Sequence, residues 1–562
     1  MTGLKTRLFN LLRLFGISSA FLFAVWLALV VAAPAQTFHT LANFDGTNGA
    51  APGSMYPVQG RDGNLYGTTR LGGNAPYCPS GCGTAFKITP VGMVSTIYDF
   101  CTLPGCDDGS LPNTGLILAA DGNFYGTGPG GAHEYGTVFR ITSDGTLTTL
   151  HSFCSQASCA DGAQPEGGLL QATDGNFYGV TGIGGAYGWG TVFKITPTGK
   201  STILYSFANG AYPIGGLVQA SDGNLYGTTY GCGSPCGSVF KITASGKLTT
   251  LYAFGVEALP ASPLIQGTDG NLYGTTSEGA VTNFDGTVFR ITRTGKLTTL
   301  YTFCTQGICT DGATPWAGLI QATDGNLYGT TASGGNTALC GGQGCGTIFR
   351  ITPAGTLTTL HSFNGDDGAG PGGGLLQATN GTLYGTTSSG GSQGGGTFYS
   401  LDVGLNPFVK LVTTQGKAGQ VVEILGQGFT GTTSVMFGTG SASVITIVSD
   451  TYMTAKLPAT ATTGYVTVTT PSGTLTSSQA FKVLPAITSF TPTSGPVGTK
   501  VTITGSGFIG ATKVTFGGVK AISYTVDSVT QITATVPPGA KTGNIAVTTP
   551  AGGAGKGTFS VI

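Results

Sequence analysis

Three short strings recur along this chain in fixed order, seven times each, and internal repetition on that scale leaves few folds open. The first, Asp-Gly-Asn-Leu/Phe-Tyr-Gly, begins at Asp62, Asp121, Asp174, Asp222, Asp269 and Asp324, with Asn-Gly-Thr-Leu-Tyr-Gly at Asn380 as the seventh copy. The second, Gly-Thr-Val-Phe-Lys/Arg-Ile-Thr with single substitutions, starts at Gly83, Gly136, Gly190, Gly237, Gly286 and Gly346 and degenerates at Gly396. The third, of the type Leu-Thr-Thr-Leu-Tyr-Ser-Phe, ends at Phe44, Phe100, Phe153, Phe207, Phe254, Phe303 and Phe363.

Each unit predicts four strands. From Gly216 these are Leu217–Ala220, Leu225–Thr229, Ser238–Thr243 and Leu248–Phe254. Asp222-Gly223 and Ser245-Gly246 mark tight hairpins, where φ > 0 costs Gly and Asx little. Four antiparallel strands in about 50 residues is the pattern of a propeller blade. The repeat region opens on a lone fourth strand, Phe38 to Phe44, and ends after only three strands near Asp402. A last blade made of those three plus the N-terminal one closes the ring and removes two unpaired edges. The expected fold is all-β: a seven-bladed β-propeller of four-stranded antiparallel blades, followed by two immunoglobulin-like β-sandwiches.

The sandwiches follow from a second repeat. After Leu405 cysteine disappears and a constant offset of 79 pairs Phe429 with Phe508, Phe437-Gly438 with Phe516-Gly517, and Pro458 with Pro537. Alternating runs such as Val501-Thr502-Ile503-Thr504 are half-buried strands, and this many in so short a unit make a small β-sandwich.

Residues 1–35 are expected to be a signal peptide. Lys5, Arg7 and Arg13 precede the apolar stretch Leu14 to Ala33, and Ala33-Pro34-Ala35 is a small-x-small cleavage site. An uncleaved anchor is the competing reading of the same stretch. No later run is long and apolar enough to span a bilayer, so no membrane span is expected in the mature chain. The expected domains are 1–35, the propeller at 37–402, and the sandwiches at 405–484 and 485–562.

The three strings, from about Thr37 to Asp402, resemble the choice-of-anchor tandem-repeat proteins that carry the GloVer unit. That resemblance implies an exported repeat protein with varied modes of surface attachment and no established chemistry. The chain departs from it in showing no evident sorting segment after Phe559. Ile487 to Phe508, with Thr491-Pro492-Thr493-Ser494-Gly495, resembles the IPT/TIG immunoglobulin-like domain. The preceding copy has Thr413-Thr414-Gln415-Gly416 there and is a looser member. Extracellular modules of this family serve as spacers or binding domains. Some IPT/TIG domains bind DNA, but these two carry no Arg and only scattered Lys, and the whole chain balances 24 basic against 24 acidic residues. No nucleic-acid partner is expected.

In a four-stranded meander, the first-to-second and third-to-fourth turns share one face of the disc. Those turns are short and uniform. The second-to-third loops and the blade-to-blade connections share the other face, are long and irregular, and are where a rigid scaffold carries function. All twelve cysteines fall there as six close pairs: Cys78 with Cys82, Cys101 with Cys106, Cys154 with Cys159, Cys232 with Cys236, Cys304 with Cys309, and Cys340 with Cys345. An even count, local pairing and export favour disulfides. A zinc site would need four ligands converging, which two pairs meeting across neighbouring loops would supply. No metal and no cofactor are expected.

The same loops hold Glu134, Glu166, Glu257 and Glu278, the tryptophans Trp189 and Trp316, and His133, Tyr135, Tyr187 and Tyr212. Rings stack on sugar faces and carboxylates accept hydroxyl hydrogen bonds, so the four Glu and two Trp are candidate ligand-binding residues. The bland alternative is that loops collect whatever does not fit a strand. A second ring, Asp/Asn-Gly-Ala/Ser-x-Pro, enters the innermost strands at Asn48, Asp108, Asp161, Asn209, Asp311 and Asp367. These are candidates for the channel rim, against the plainer reading of an Asx turn. No Gly-x-Ser-x-Gly, His-Glu-x-x-His or phosphate-cradling loop occurs, so no catalytic residue is nominated. The expected function is an exported binding or adhesion scaffold for carbohydrate or extracellular protein. The alternatives are an enzyme on extracellular glycans, which would need two carboxylates at glycosidase spacing, and a purely structural surface component.

Overall fold

The computed structural model describes residues 36–52, 56–231, 237–255, 258–278, 285–305 and 307–562. The expected signal segment lies outside them, and so do Glu257, Cys232 and Cys236.

Seven separate four-stranded antiparallel sheets follow one another from Thr37 to Asp402, and they are the blades. In blade 4 the strands are Val218–Gln219, Leu225–Thr229, Ser238–Ile242 and Leu248–Ala253, from the centre outward. The innermost strand is only two residues long because neighbouring blades converge at the axis. The expected closure is present. Thr37–Asn43 pairs antiparallel with Thr397–Asp402 as the outer strand of blade 7, Thr37 opposite Asp402 and Asn43 opposite Thr397.

The repeated strings are the glue between blades. The Phe that ends the third string packs against the aromatic ring of the second string in the next blade. Phe100–Phe139, Phe153–Phe193, Phe207–Phe240, Phe254–Phe289, Phe303–Phe349 and Phe363–Tyr399 have centroids 5.1–5.5 Å apart, and Phe44–Phe86 completes the circle at 5.1 Å. Pairs in this geometry add about 0.5–1.5 kcal/mol each beyond the area they bury.

The Gly that opens the second string has a specific reason to be Gly. At Gly83, Gly136, Gly190, Gly237, Gly286 and Gly346 φ is positive, and a Cβ would collide with the ring of Pro112, Pro165, Pro213, Pro260, Pro315 or Pro371 of the following blade. Gly396 meets Pro52 in the same way across the closure.

On the short-turn face, each Asp of the first string accepts a hydrogen bond from the Tyr hydroxyl four residues on, at 2.8–2.9 Å in blades 1 to 6. A glutamine on the innermost strand then stitches each blade to its predecessor. The Oε1 atoms of Gln171, Gln219, Gln266, Gln321, Gln377 and Gln59 accept the backbone N–H of Ala120, Thr173, Ser221, Thr268, Thr323 and Thr379 at 2.8–3.0 Å. Blade 2 has Leu118 at this position. At that junction the Arg61 guanidinium donates to Ala120 O at 3.2 Å instead.

The two C-terminal units share one sheet order. In the first, Lys410–Leu411, Val421–Leu425, Tyr452–Lys456 and Ile445–Ile447 face a five-stranded sheet running from Gln415–Gly416 through Gly473–Val483 to Gly440–Ser441; the second repeats this arrangement. The looser opening of the first copy changes nothing here. Gln415-Gly416 pairs parallel with Lys482-Val483 as Ser494-Gly495 does with Ser560-Val561. Phe429, Phe437 and Phe481 fill one core and Phe508, Phe516 and Phe559 the other, all fully buried.

The first sandwich docks on the short-turn face of the propeller. Arg61 forms an ion pair with Glu423 and lies 5.1 Å over the Tyr452 ring, and Thr451 Oγ1 donates to Arg61 O at 3.1 Å. In blade 7, Thr379 Oγ1 donates to Gly426 O and accepts from Gln427 Nε2, while Thr379 O accepts from Phe408 N. Across the disc, Lys482 Nζ donates to Ser221 O of blade 4 at 3.3 Å. The sandwich therefore spans this face. The long-loop face is left open.

Candidate functional site

Each blade carries a segment just before its innermost strand that turns the chain into the channel. Counted back from the Asp or Asn of the first string, position −9 is Pro112, Pro165, Pro213, Pro260, Pro315 and Pro371 in blades 2 to 7, and position −6 is Gly115, Gly168, Gly216, Pro263, Gly318 and Gly374. The prolines are held by the glycines described above. The carbonyls between them are held by a threonine of the second strand in the preceding blade. Thr68, Thr127, Thr228, Thr275 and Thr330 donate to the carbonyls of Thr114, Gly167, Ser262, Ala317 and Gly373, and Thr386 donates to Pro52 O, all at 2.8–3.3 Å. Val180 stands in for the threonine of blade 3.

That frame fixes the backbone, and the widest variation in side-chain size and chemistry falls at position −8. Position −8 is Asn113, Glu166, Ile214, Ala261, Trp316 and Gly372, six different residues, and all six line one cavity of about 560 Å³. Leu116, Ile117, Leu169, Leu217 and Ala317 add apolar wall, and Tyr56 closes one side.

Tyr56 breaks the sevenfold pattern. It holds the −6 position of blade 1, where five other blades have Gly. Its hydroxyl accepts the N–H of Gly318 in blade 6 at 2.7 Å, and its ring occupies the space that a Cβ at Gly374 of blade 7 would need. The side chain thus reaches past one blade to a second, plugging part of a channel mouth that small residues would leave wide. At the same position of blade 3, a Cβ at Gly168 would meet nothing within 4 Å. Burial drives the Tyr56 phenol far above its ordinary pKa, so it stays neutral.

The cavity combines hydrocarbon walls with a few polar groups. Glu166 is raised above the usual carboxyl range, mainly by burial, with the charge of Arg70 pulling the other way. Asn113 Oδ1 is buried with no hydrogen-bond partner. Trp316 is 39% exposed, and its ring stacks on Tyr230 with centroids 6.1 Å apart. A partly exposed indole, a desolvated carboxyl and an unpaired carboxamide oxygen offer an aromatic surface and acceptors to a hydroxyl-rich ligand.

Of the six candidate ligand-binding residues, Glu166 and Trp316 thus come together from blades 3 and 6. The other described candidates do not join them. Glu134 is exposed in the second-to-third loop of blade 2 at φ 63°. Trp189 is half-buried, edge-on to Tyr212 at 5.0 Å, and Glu278 is half-buried away from the cavity wall.

The proposed channel rim is corrected by the structure. Asp108, Asp161, Asp311 and Asp367 are tied to the outermost strand and its exit. Asp108 accepts from Tyr98 OH, Thr102 N and Oγ1, and Leu103 N; Asp161 accepts from Ser155 N and Oγ; Asp311 accepts from Tyr301 OH and Cys304 N; and Asp367 pairs with His361 Nε2 at 2.8 Å. Asn48 accepts from Asp45 N, and Asn209 is an exposed left-handed residue at φ 59°. None of the six lines the cavity. The motif precedes the innermost strand in sequence, but its carboxylates are spent on the strand just left, because the connection must be pinned before it crosses the blade.

Five of the six expected disulfides are present, at Cys78–Cys82, Cys101–Cys106, Cys154–Cys159, Cys304–Cys309 and Cys340–Cys345. Cys232 lies outside the described residues and so does Cys236, so the sixth expected bridge is not placed by the structure. The residues that sequence reasoning missed are Asn113 and Tyr56. The signal was the register itself. Position −8 varies widely in size and chemistry where −7 keeps to small residues in blades 2 to 7, and −6, Gly in five blades, is Pro263 in blade 5 and Tyr56 in blade 1.

Among the described residues, no helix is long and apolar enough to cross a membrane. No curated protein sequence matches the chain. Among solved structures, it is similar to a fungal alcohol oxidase of the AA5 family in complex with copper, at 13% identity over 80% of this chain and 98% of that one, TM-score 0.45. It is also similar to oligogalacturonate lyase from Vibrio parahaemolyticus, at 10% identity over 65% and 96%, TM-score 0.41. SGBP-B of a xyloglucan utilization locus in Bacteroides uniformis matches at 20% identity over 27% and 48%, TM-score 0.16. Likenesses this distant carry no argument about function. The sequence profile of the IPT/TIG domain matches residues 485–561, and that of the Gloeobacter/Verrucomicrobia repeat matches residues 28–234, 155–340 and 233–449. Covering the whole propeller as they do, these repeat matches show that the chain belongs to the Gloeobacter/Verrucomicrobia repeat family.

Proposed function

We propose that this protein is an exported binding scaffold of the cell envelope or extracellular space, and that it seats a carbohydrate in the central cavity of its long-loop face. One observation carries the reading. Glu166 and Trp316, 150 positions apart in sequence, meet on one cavity with the unpaired Asn113 Oδ1. The docked sandwich supports it by covering the opposite face, so that a ligand reaches the channel from the long-loop side. In this reading residues 1–35 direct export, 37–402 bind, and the units at 405–484 and 485–562 hold the propeller away from its attachment. The five bridges stiffen the loops around the mouth, which lowers the entropy lost when a ligand is bound.

Glycan cleavage by paired carboxyls would need a second acid beside the first. Among the described residues, Glu166 is the one carboxylate that lines the cavity, so binding is favoured over hydrolysis. The test is a glycan array with the purified chain, run beside a reducing-sugar release assay. Expected are retained glycans, no release of reducing ends, and loss of retention in Trp316→Ala. Retention that survives both Trp316→Ala and Glu166→Ala would remove the cavity from the account. Release of reducing ends would turn the scaffold into an enzyme.

A further inference from the structure

Blade 1 differs from the other blades in its cysteines. It alone has a pair in its second-to-third loop, Cys78 and Cys82, and another in its exit, Cys101 and Cys106. Both loops leave the same end of the blade. The structure brings the two bridges together: the sulfurs of Cys82, Cys101 and Cys106 all lie within 4.8 Å of one another, and Cys78 Sγ is bonded to Cys82 Sγ. Ala75 packs over them. Cys101 is fully buried and Cys82 nearly so, while Cys78 and Cys106 are half-buried. Four sulfurs that close two loops are therefore one cluster.

We propose that in the thiol form of the protein this cluster is a zinc site, with Cys78, Cys82, Cys101 and Cys106 as its four thiolate ligands. Two ligands come from each loop at spacings of Cys-x3-Cys and Cys-x4-Cys, a close match to the local pairs that build structural zinc sites. Tetrahedral zinc with Zn–S bonds of about 2.3 Å holds its sulfurs about 3.8 Å apart. Once the bridges open, the two sulfurs of each pair must move apart by roughly 2 Å from bonding distance to that spacing, while Cys82 and the Cys101–Cys106 pair, within 4.8 Å of one another, need to draw in by roughly 1 Å or less. Each bridge is opened by two electrons and two protons from a dithiol reductant, which leaves as its own disulfide. Zinc then displaces the four thiol protons. The bridges close each loop on itself, and zinc closes the same two loops while also joining them, so each loop of blade 1 stays closed in oxidising and reducing surroundings alike. Among the described residues the bridges at Cys154–Cys159 and Cys340–Cys345 have no such neighbour, and they are internal controls.

The test uses the purified full chain. As isolated, with its bridges intact, it is expected to hold no zinc. Reduced with excess dithiol, supplied with zinc and desalted, it is expected to retain one zinc per chain, and cobalt in place of zinc is expected to give the absorption of a tetrahedral four-thiolate site. Cys82→Ser should abolish stoichiometric retention, and the double variant Cys154→Ser/Cys159→Ser should leave it intact. Cys78→Ser, at a half-exposed position, guards against misfolding. It should lose the four-thiolate cobalt spectrum while its far-ultraviolet signal stays that of the parent. Failure of the reduced chain to retain zinc overturns the proposal. So does retention that survives Cys82→Ser and Cys78→Ser, or a cobalt spectrum without four thiolates.

Discussion

The two faces of the propeller are built from the same seven units and behave oppositely. On the short-turn face nearly every blade repeats the same bonds: an Asp takes a Tyr hydroxyl, and a Gln takes the backbone N–H of the blade before it. The one blade without the Gln is bridged by Arg61, which also anchors the first sandwich through Glu423 and Tyr452. On the long-loop face the backbone is held just as uniformly, by prolines, glycines and threonines, but the side chain at position −8 differs in every blade where it is described. The comparison teaches where freedom comes from. Because the frame is secured without the −8 side chains, those side chains are released from structural duty and can form an asymmetric site on a nearly symmetric ring.

The comparison breaks most severely if the ring itself is opened. Deleting Thr37–Asn43 removes the outer strand of blade 7 together with the Phe38 ring that stacks on His361. It leaves an unpaired edge on Thr397–Asp402. The expected result is aggregation and loss of the cooperative melt, followed by light scattering and calorimetry. A monomeric protein with the parent's melting temperature would show that closure does not depend on this strand.

A smaller effect is expected from removing the plug. Tyr56→Gly places at −6 the glycine that five other blades carry and removes a half-buried ring from the cavity wall, a change expected to cost less than the about 3–5 kcal/mol of a fully enclosed aromatic. Because it sits on the long-loop face, it should leave sandwich docking untouched and enlarge the cavity, which denaturant titration and a crystal structure would check. A cost below about 1 kcal/mol would mean that the ring relaxes around the gap.

Arg61→Ala should do the reverse. It removes charged hydrogen bonds of about 1.5–3 kcal/mol from the short-turn face. The expected outcome is a first sandwich released from the disc, seen as a larger radius of gyration in solution scattering, with ligand binding at the cavity unchanged. Loss of binding would show that the two faces are coupled.

The smallest effect concerns Glu166 and pH. Burial raises its folded-state pKa above the ordinary carboxyl value. A carboxyl shifted in that direction is accommodated in its neutral form below the unfolded pKa, and that contribution is lost as the pH rises through the folded pKa. Glu166→Gln should therefore melt slightly above the parent at neutral pH and match it in acid. A difference independent of pH would assign the effect to packing instead of charge.

Much of the fold was legible because each string states its own partner. The Phe closing one unit and the aromatic of the second string in the next recur together, and the strand at Phe38 to Phe44 lacked three companions that the end of the repeat supplied. The second repeat, at an offset of 79, made the sandwiches legible even where Thr413-Thr414-Gln415-Gly416 replaced the usual opening. The site was legible only in part. Glu166 and Trp316 were singled out for their chemistry, but so were Glu134, Trp189 and Glu278, which point elsewhere. The Asp ring at Asp108, Asp161, Asp311 and Asp367 was misplaced because sequence order put it beside the innermost strand, while its hydrogen bonds run back to the outermost one.

What the sequence determined by itself is local and periodic: strand order, turn chemistry, blade count and the identity of the last blade. These follow from period-2 alternation, from Gly and Asx at turns, and from a hydrophobic surface on each unit that only a like neighbour can cover. The innermost strand, expected as Leu217–Ala220, is cut to Val218–Gln219 by the convergence of the blades. What the tertiary structure decided is which irregular residues become neighbours. Position −8 faces the axis only once seven blades have converged, and Tyr56 can reach Gly318 only because closure brings blade 1 within one blade of blade 6. The bridges of Cys78–Cys82 and Cys101–Cys106 likewise become one cluster only when two loops, separated by a pair of strands in sequence, emerge from the same end of one blade.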